Sequence, residues 1–238
     1  MFKWLTKPVC PVERQDKEWL EGRMNWLANE FGLAFVRGIP VILPTLEFFP
    51  DPWEETEAAI RAMLDRMCSF MGIVPNNVVL HLYRDKSFTP TAGLYEKDGE
   101  MIHLWLEDNV CDPMAIVAVM AHELAHARLL GDGRVSPDDR DMEPLTDLST
   151  VFFGLGIFGA NACLHYQSTT VGNWNYTQSG TMGYLHQRLW GYALGVFAVM
   201  RGECRPEWMQ YLRLDIRCMV KETIRYISNT GDCTCLPK

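Results

Sequence analysis

Positive charge is scarce in this chain. Its 238 residues include 22 lysines and arginines against 30 aspartates and glutamates, which gives a formal net charge of -8 at pH 7. Nucleic acids and anionic membranes are bound mainly through basic surfaces, so the sequence predicts neither as a partner. Internal repeats, low-complexity segments and linkers are also missing. We therefore expect a single domain over residues 1–238.

Long apolar runs are few. The N-terminus has no apolar core of signal-peptide length, so we expect a cytoplasmic protein whose eight cysteines are reduced. The most apolar stretch, 148–164, contains three glycines. A membrane span needs about 20 strongly apolar residues, so we expect a buried helix and no span. The alternative, a membrane-associated helical protein, requires that this stretch face lipid.

The apolar pattern predicts an α+β fold with segregated elements, because helical spacing gives way to strand alternation and then returns. Hydrophobic residues make up 48% of the chain, enough for a sizeable core. The expected parts are a helical N-terminal part (1–75), a β region (76–110), helices that carry the site described below (112–164) and C-terminal helices (183–228).

The expected helices and strands have start and stop signals. Asp51-Pro52 indicates the start of the second helix, Gly131 the end of the third, and Asp98-Gly99 a hairpin turn. Helices are expected at 13–31, 53–71, 113–130, 142–164, 183–201 and 206–228, and strands at 78–83, 91–97 and 101–107.

The most informative segment follows Asp112-Pro113, a good N-cap and first helical position. At 100° per residue, His122, Glu123 and His126 project from one side of a helix that is otherwise apolar. Buried polar groups need partners, and two imidazoles one turn apart are spaced to bind one metal ion. In this H-E-x-x-H pattern the glutamate takes a proton from metal-bound water. The alternative is two core histidines bonded to backbone carbonyls.

A third ligand is expected from the start of the next helix. Glu143 and Asp147 are four residues apart and share a face, and the next charged residue is Arg188. The simplest assignment gives Glu143 to the metal and Asp147 to the free ring nitrogen of a ligand histidine. The alternative is an acidic pair that the helix dipole favours. Imidazole and carboxylate also bind divalent ions other than zinc.

The segment HELAH together with Glu143-x-x-x-Asp147 resembles the gluzincin branch of the zincin metallopeptidases, of which thermolysin is the type member. This resemblance covers about 35 residues. It implies one zinc ion per chain bound by His122, His126 and Glu143, with Glu123 as general base. From IHLWLE to GYALGVFAVMRGE the chain also resembles a set of uncharacterised bacterial HExxH proteins, which implies no substrate.

The resemblance further implies a zincin-like fold with an edge strand beside the active-site helix, where peptide substrates bind by strand addition. The segment MIHLWLE (101–107) is expected to be this strand. His103 and Trp105 would share one face, and Ile102, Leu104 and Leu106 the other. The alternative is an ordinary core strand.

An oxyanion stabiliser would complete the site. Tyr184, His186, Arg188 and Tyr192 are candidates, and we favour Tyr184 and His186 because they follow a glycine-rich polar loop. The alternative is that these residues only pack between helices or lie on the surface.

Two further patterns are less informative. The G-x-G-x-x-G segment at 154–159 lacks the preceding strand and the later acidic residue of a nucleotide site, so it predicts closely packed helices. Cys233-Thr-Cys235 leaves open a second metal site.

Together these features predict a zinc-dependent metallopeptidase, a hydrolase acting on a peptide or protein substrate. The alternative is a non-catalytic zinc-binding scaffold or regulatory protein that retains the zincin fold. Glu123 favours the enzyme, because a structural site needs no carboxylate beside its histidine.

Overall fold

The computed structural model describes residues 8–83, 93–107, 112–163 and 184–236. Within these residues the protein is α+β, with eight α-helices and a small mixed sheet of three strands. The helices are α1 (Arg14–Phe31), α2 (Leu33–Gly38), α3 (Glu57–Phe70), α4 (Pro113–His126), α5 (Met142–Phe152), α6 (Gly156–Ala162), α7 (Gln187–Met200) and α8 (Leu214–Thr230). The strands are β1 (Val78–Tyr83), β2 (Gly93–Asp98) and β3 (Met101–Glu107).

Helix α1 forms where the helical spacing of apolar residues predicts it, and Leu20, Met24 and Leu27 are fully buried on its inner face. Helix α3 begins later than expected. The hydroxyl of Thr56 accepts a hydrogen bond from the backbone N of Ala59 at 3.2 Å, so Thr56 is the cap in place of Asp51-Pro52.

Strand β3 is central in the sheet, so the prediction that 101–107 is an edge strand is wrong. The strand order is β1-β3-β2, with β1 parallel and β2 antiparallel to β3. The hairpin between β2 and β3 turns at Gly99, whose φ is 59°. The predicted faces are correct, since Leu104 and Leu106 are buried. Side-chain alternation reports which face of a strand is buried but not how many neighbours the strand has.

The expected helix over 142–164 is interrupted. Helix α5 ends at Phe152, and Gly154 has a φ of 80° before α6 starts. The carbonyl of Gly154 accepts a hydrogen bond from the backbone N of Ile42 at 2.9 Å. The break therefore depends on a glycine and on a contact with the distant segment before α3.

Two other helix boundaries differ from those expected. After α4 the chain continues as a π-helical turn, Ala127–Gly131, and the left-handed residue is Gly133 rather than Gly131. The expected helix over 206–228 starts as a separate 3-10 turn, Glu207–Tyr211, before α8. Short irregular turns of this kind are common at helix ends, and a uniform helical pattern in the sequence does not predict them.

Two hydrophobic clusters form the core. The larger joins α1, α5, α7 and α8, and the smaller joins α3, α4 and the sheet, with Phe153 and Phe158. The described part of 148–164 is mostly buried in these clusters, as expected for this stretch. Among the described helices, only the stretch Pro113–Gly131 is long and apolar enough to cross a membrane. It is 61% buried inside the protein, which is typical of a core helix.

Gly154 provides a test of this fold. A Cβ at this position would lie 2.5 Å from the carbonyl oxygen of Pro40, whereas a Cβ at Gly133 meets nothing within 4 Å. Both glycines have positive φ, so Gly133→Ala should lower the free energy of unfolding by about 1–2 kcal/mol. Gly154→Ala should lower it further, because backbone must also move. Urea denaturation measures both, and equal losses would contradict the contact with Pro40.

Candidate metal centre

Helix α4 carries two imidazoles, His122 and His126, that lie side by side near its C-terminal end. Its start is built as the sequence predicts, because Asp112 accepts a hydrogen bond from the backbone N of Met114 at 2.9 Å and Pro113 follows it. One turn apart near its C-terminal end, the rings of His122 and His126 meet edge to face with centroids 4.8 Å apart.

The two ring nitrogens converge on a carboxylate from α5. The Nε2 atoms of His122 and His126 are 3.2 Å apart, and Glu143 Oε2 lies 3.1 Å from the first and 3.6 Å from the second. Ligands bound tetrahedrally at about 2.0–2.1 Å from a metal are separated by about 3.3 Å. In the part of the chain that the structure describes, this is the one group of three or more such donors that could hold a metal ion.

Each imidazole is oriented through its other nitrogen. His122 Nδ1 lies 2.8 Å from Asp147 Oδ1. The hydroxyl of Thr146 donates to the carbonyl of Met142 at 2.9 Å, so it accepts from His126 Nδ1, at a long 3.4 Å. Both Nδ1 atoms therefore carry a hydrogen, and the two Nε2 atoms that face Glu143 are the ones left to bind a proton or a metal ion.

Asp147 is buried, and both of its carboxylate oxygens form hydrogen bonds. Its second oxygen, Oδ2, accepts hydrogen bonds from the backbone N of Tyr184 at 2.6 Å and of Leu185 at 3.0 Å. The acidic pair of α5 thus does more than favour the helix start, because both carboxylates are directed at His122.

Two groups of this cluster, His122 and Glu143, have strongly shifted pKa values. Burial opposes a charge on His122, but the hydrogen bonds to Asp147 and Glu143 outweigh it and raise its pKa to about 10. Burial likewise raises the pKa of Glu143, but its bonds to His122 and His126 dominate and lower it to about 2. Two nitrogen lone pairs and a carboxylate at this spacing need a cation between them, either a proton or a metal ion.

Glu123 lies beside the three donors without being one of them. Its side chain is buried, and burial raises its pKa. Strand β2 approaches it closely at Gly93, where a Cβ would lie 2.6 Å from Glu123 Oε1. Only glycine lets the backbone of β2 reach this carboxylate.

The structure brings Tyr184 to the cluster but not the imidazole of His186. The Tyr184 ring stacks on His122 with centroids 6.0 Å apart, and half of its surface is exposed. His186 is the residue before α7, and its Nε2 is 3.9 Å from Asp16 on α1. Tyr192, another candidate, is buried and donates a hydrogen bond to Glu21.

Two contributors to the site, Thr146 and Tyr95, were not expected from the sequence. Thr146 orients His126, and Tyr95 of β2 stacks on His126 with centroids 6.0 Å apart. Thr146 lies three residues after Glu143, and this spacing in the sequence indicates that the two side chains share one side of α5. Nothing local indicates Tyr95, because its contact depends on how β2 is placed beside α4.

The less informative patterns have structural roles. A Cβ at Gly159 would lie 2.5 Å from the Trp190 ring, which agrees with close helix packing. Cys233 and Cys235 are buried, and the Cys235 thiol is 3.4 Å from the carbonyl of Glu21. Neither belongs to a group of three donors within the described residues.

Comparisons with family models, curated proteins and solved structures find no match to this chain. The interpretation of the centre therefore rests on its residues and geometry.

The ligand assignment predicts a difference between the two acidic residues of α5. Glu143→Ala should lose most metal, whereas Asp147→Ala should weaken binding about 10- to 100-fold, as loss of a ligand-orienting bond does. Zinc titration of each purified variant measures this. An exposed glutamate of α8 gives the control Glu222→Ala, which should bind as the wild type does. If Glu143→Ala keeps full affinity, Glu143 is not a ligand.

The raised pKa of His122 predicts that metal binding releases a proton. The metal-free protein holds this proton at neutral pH, and a metal bound to Nε2 must displace it. Affinity should therefore rise about tenfold per pH unit between pH 6 and 8. Calorimetry in buffers of different ionisation enthalpy counts the protons. Release of none, with affinity independent of pH, would show that His122 is neutral before metal binds.

Proposed function

We propose that this protein is a zinc-dependent metallopeptidase of the gluzincin type with a zincin-like fold. One observation carries the proposal: His122, His126 and Glu143 converge at tetrahedral spacing beside the buried carboxylate of Glu123. The location that fits this proposal is the cytoplasm, and the substrate is a peptide or protein.

The donor set suits a catalytic zinc site. Two imidazoles and one carboxylate leave the fourth position of a tetrahedron open, whereas structural sites use four protein ligands. When bound, zinc would lower the pKa of water and polarise a carbonyl. The chain contributes the ligands, their orientation by Asp147 and Thr146, and a largely buried setting.

Glu123 has the properties of a general base. It is one residue from a ligand, and its raised pKa brings its proton affinity closer to that needed near neutral pH. It would accept a proton from the attacking water and deliver it to the leaving amine. Its contact with Gly93 restricts the side chain to the region between α4 and β2.

Tyr184 is the better of the two predicted oxyanion stabilisers. Burial, followed by the charges of Glu143, Asp147 and Glu123, raises the pKa of its phenol, so the hydroxyl keeps its proton at neutral pH. It could then donate a hydrogen bond to the developing oxyanion. The position of His186 beside Asp16 does not support the same role.

Strand β2, rather than β3, is the proposed substrate-binding strand. Among the described strands, β2 has a neighbour on one side only, and it lies against α4. Gly93 contacts Glu123 and Tyr95 contacts His126, so a peptide added along β2 would pass the metal centre.

Glu123→Gln separates an enzyme from a zinc-binding scaffold. The amide keeps the shape but accepts no proton, so zinc affinity should be unchanged while peptide hydrolysis falls by ~10²–10⁴. Cleavage of a broad peptide library, read by mass spectrometry on zinc-loaded protein, measures it, with Glu222→Gln on α8 as control. No cleavage by fully zinc-loaded wild type would favour the scaffold. Undiminished cleavage by Glu123→Gln would refute the role of this base.

A further inference from the structure

A cavity lies away from the candidate metal centre. It has a volume of about 450 Å³ and is enclosed by the segment 44–53, helix α3, the first turns of α4 and Phe158 of α6. This volume is within the ~300–1,000 Å³ typical of small-molecule sites. Its walls are mainly apolar, and they include Phe49, Trp53, Met63 and Met114.

The polar groups of the cavity are few. Among the described residues, the charged ones that line it are Asp51 and Arg66, which form an ion pair at 2.7 Å. Thr45 and Trp53 also line it, but Thr45 Oγ1 and Trp53 Nε1 are buried and are not accessible from the cavity. Guanidinium nitrogens only donate, so a ligand that binds Arg66 must supply an acceptor.

Helix α4 separates this cavity from the metal centre. At 100° per residue, Val117, which lines the cavity, is about 140° from His122 and about 180° from His126 around the helix. Met114 lies eight residues before His122, or about 12 Å along the helix axis. The cavity is therefore not part of the proposed peptide cleft.

We propose that this cavity binds an amphipathic monocarboxylate, a medium-chain fatty acid in chemical class. The hydrocarbon tail fills the apolar interior, and the carboxylate binds Arg66 at the rim. The bond to Asp51 uses one nitrogen of a guanidinium that carries five N–H donors, so a second carboxylate fits the same group. Asp51 already neutralises this arginine, so the carboxylate of the ligand competes with Asp51 for it.

Calorimetric titration of the full chain with decanoate, below the concentration at which it forms micelles, tests the proposal. We expect saturable binding of one molecule and a rise in melting temperature, since a ligand of the native state stabilises it. Decanol, which has the same chain length without the charge, should bind at least tenfold more weakly.

Variants at the rim should act in opposite directions. Arg66→Ala should weaken decanoate binding at least tenfold, whereas Asp51→Asn should strengthen it because a competing carboxylate is removed. Arg225→Ala, at an exposed arginine of α8, is the matched control and should have no effect. Ala59→Trp should abolish binding by filling the cavity, with zinc content showing that the protein is folded.

Methyl resonances locate the ligand without any destabilising change. Labelled methionine methyls of Met63 and Met114, assigned from Met→Leu variants, should shift on saturation with decanoate. Absence of saturable binding, or no shift at both methyls, would overturn the proposal. Equal binding of decanol together with no effect of Arg66→Ala would show a neutral apolar ligand and refute the carboxylate.

Discussion

The buried carboxylate of Asp147 holds the metal centre in place. One oxygen binds the ring of His122 on α4, and the other accepts two backbone N–H groups at the approach to α7. A buried carboxylate is tolerated only when its acceptors are used, and here three donors do so. The same contacts select the His122 tautomer and place Tyr184 against the ring. Asp147 on α5 therefore links α4 and the approach to α7 at the candidate metal centre.

A second constraint is that the backbone must approach neighbouring groups closely at two glycines. Gly93 brings β2 against Glu123, and Gly154 turns the chain between α5 and α6 against Pro40. The turn at Gly154 ends α5 soon after it has delivered Glu143, Thr146 and Asp147. Larger residues would push apart the elements that carry Glu123 and the three donors, so these glycines affect the candidate site as well as the fold.

The electrostatics of the centre follow from its donors. The pKa of His122 is raised and that of Glu143 is lowered, which is the pattern of an ion pair between an imidazolium and a carboxylate. A metal ion bound here would take over the positive charge as it displaced the proton. The pKa of Glu123, buried beside them, is raised, so two carboxyl groups of one cluster are shifted in opposite directions by their surroundings.

The prediction from sequence was strongest where the pattern is local. The cap at Asp112, the common face of His122 and His126 and the four-residue spacing of Glu143 and Asp147 all depend on helix geometry within a few turns. That geometry was enough to predict a cluster of donors that could hold a metal, and the succession of helical and strand patterns was enough to predict an α+β fold.

Other features depended on contacts between distant segments, which a local pattern does not encode. Among the described strands β3 is central because β1 and β2 pair with its two sides, and alternation is the same for central and edge strands. The contact of His186 with Asp16, the stacking of Tyr95 on His126 and the break at Gly154 likewise arise from packing. The sequence by itself determined which side chains share a helix face, because that depends on a fixed rotation per residue. Only the tertiary structure decided which strand lies beside them, because pairing joins residues far apart in the chain.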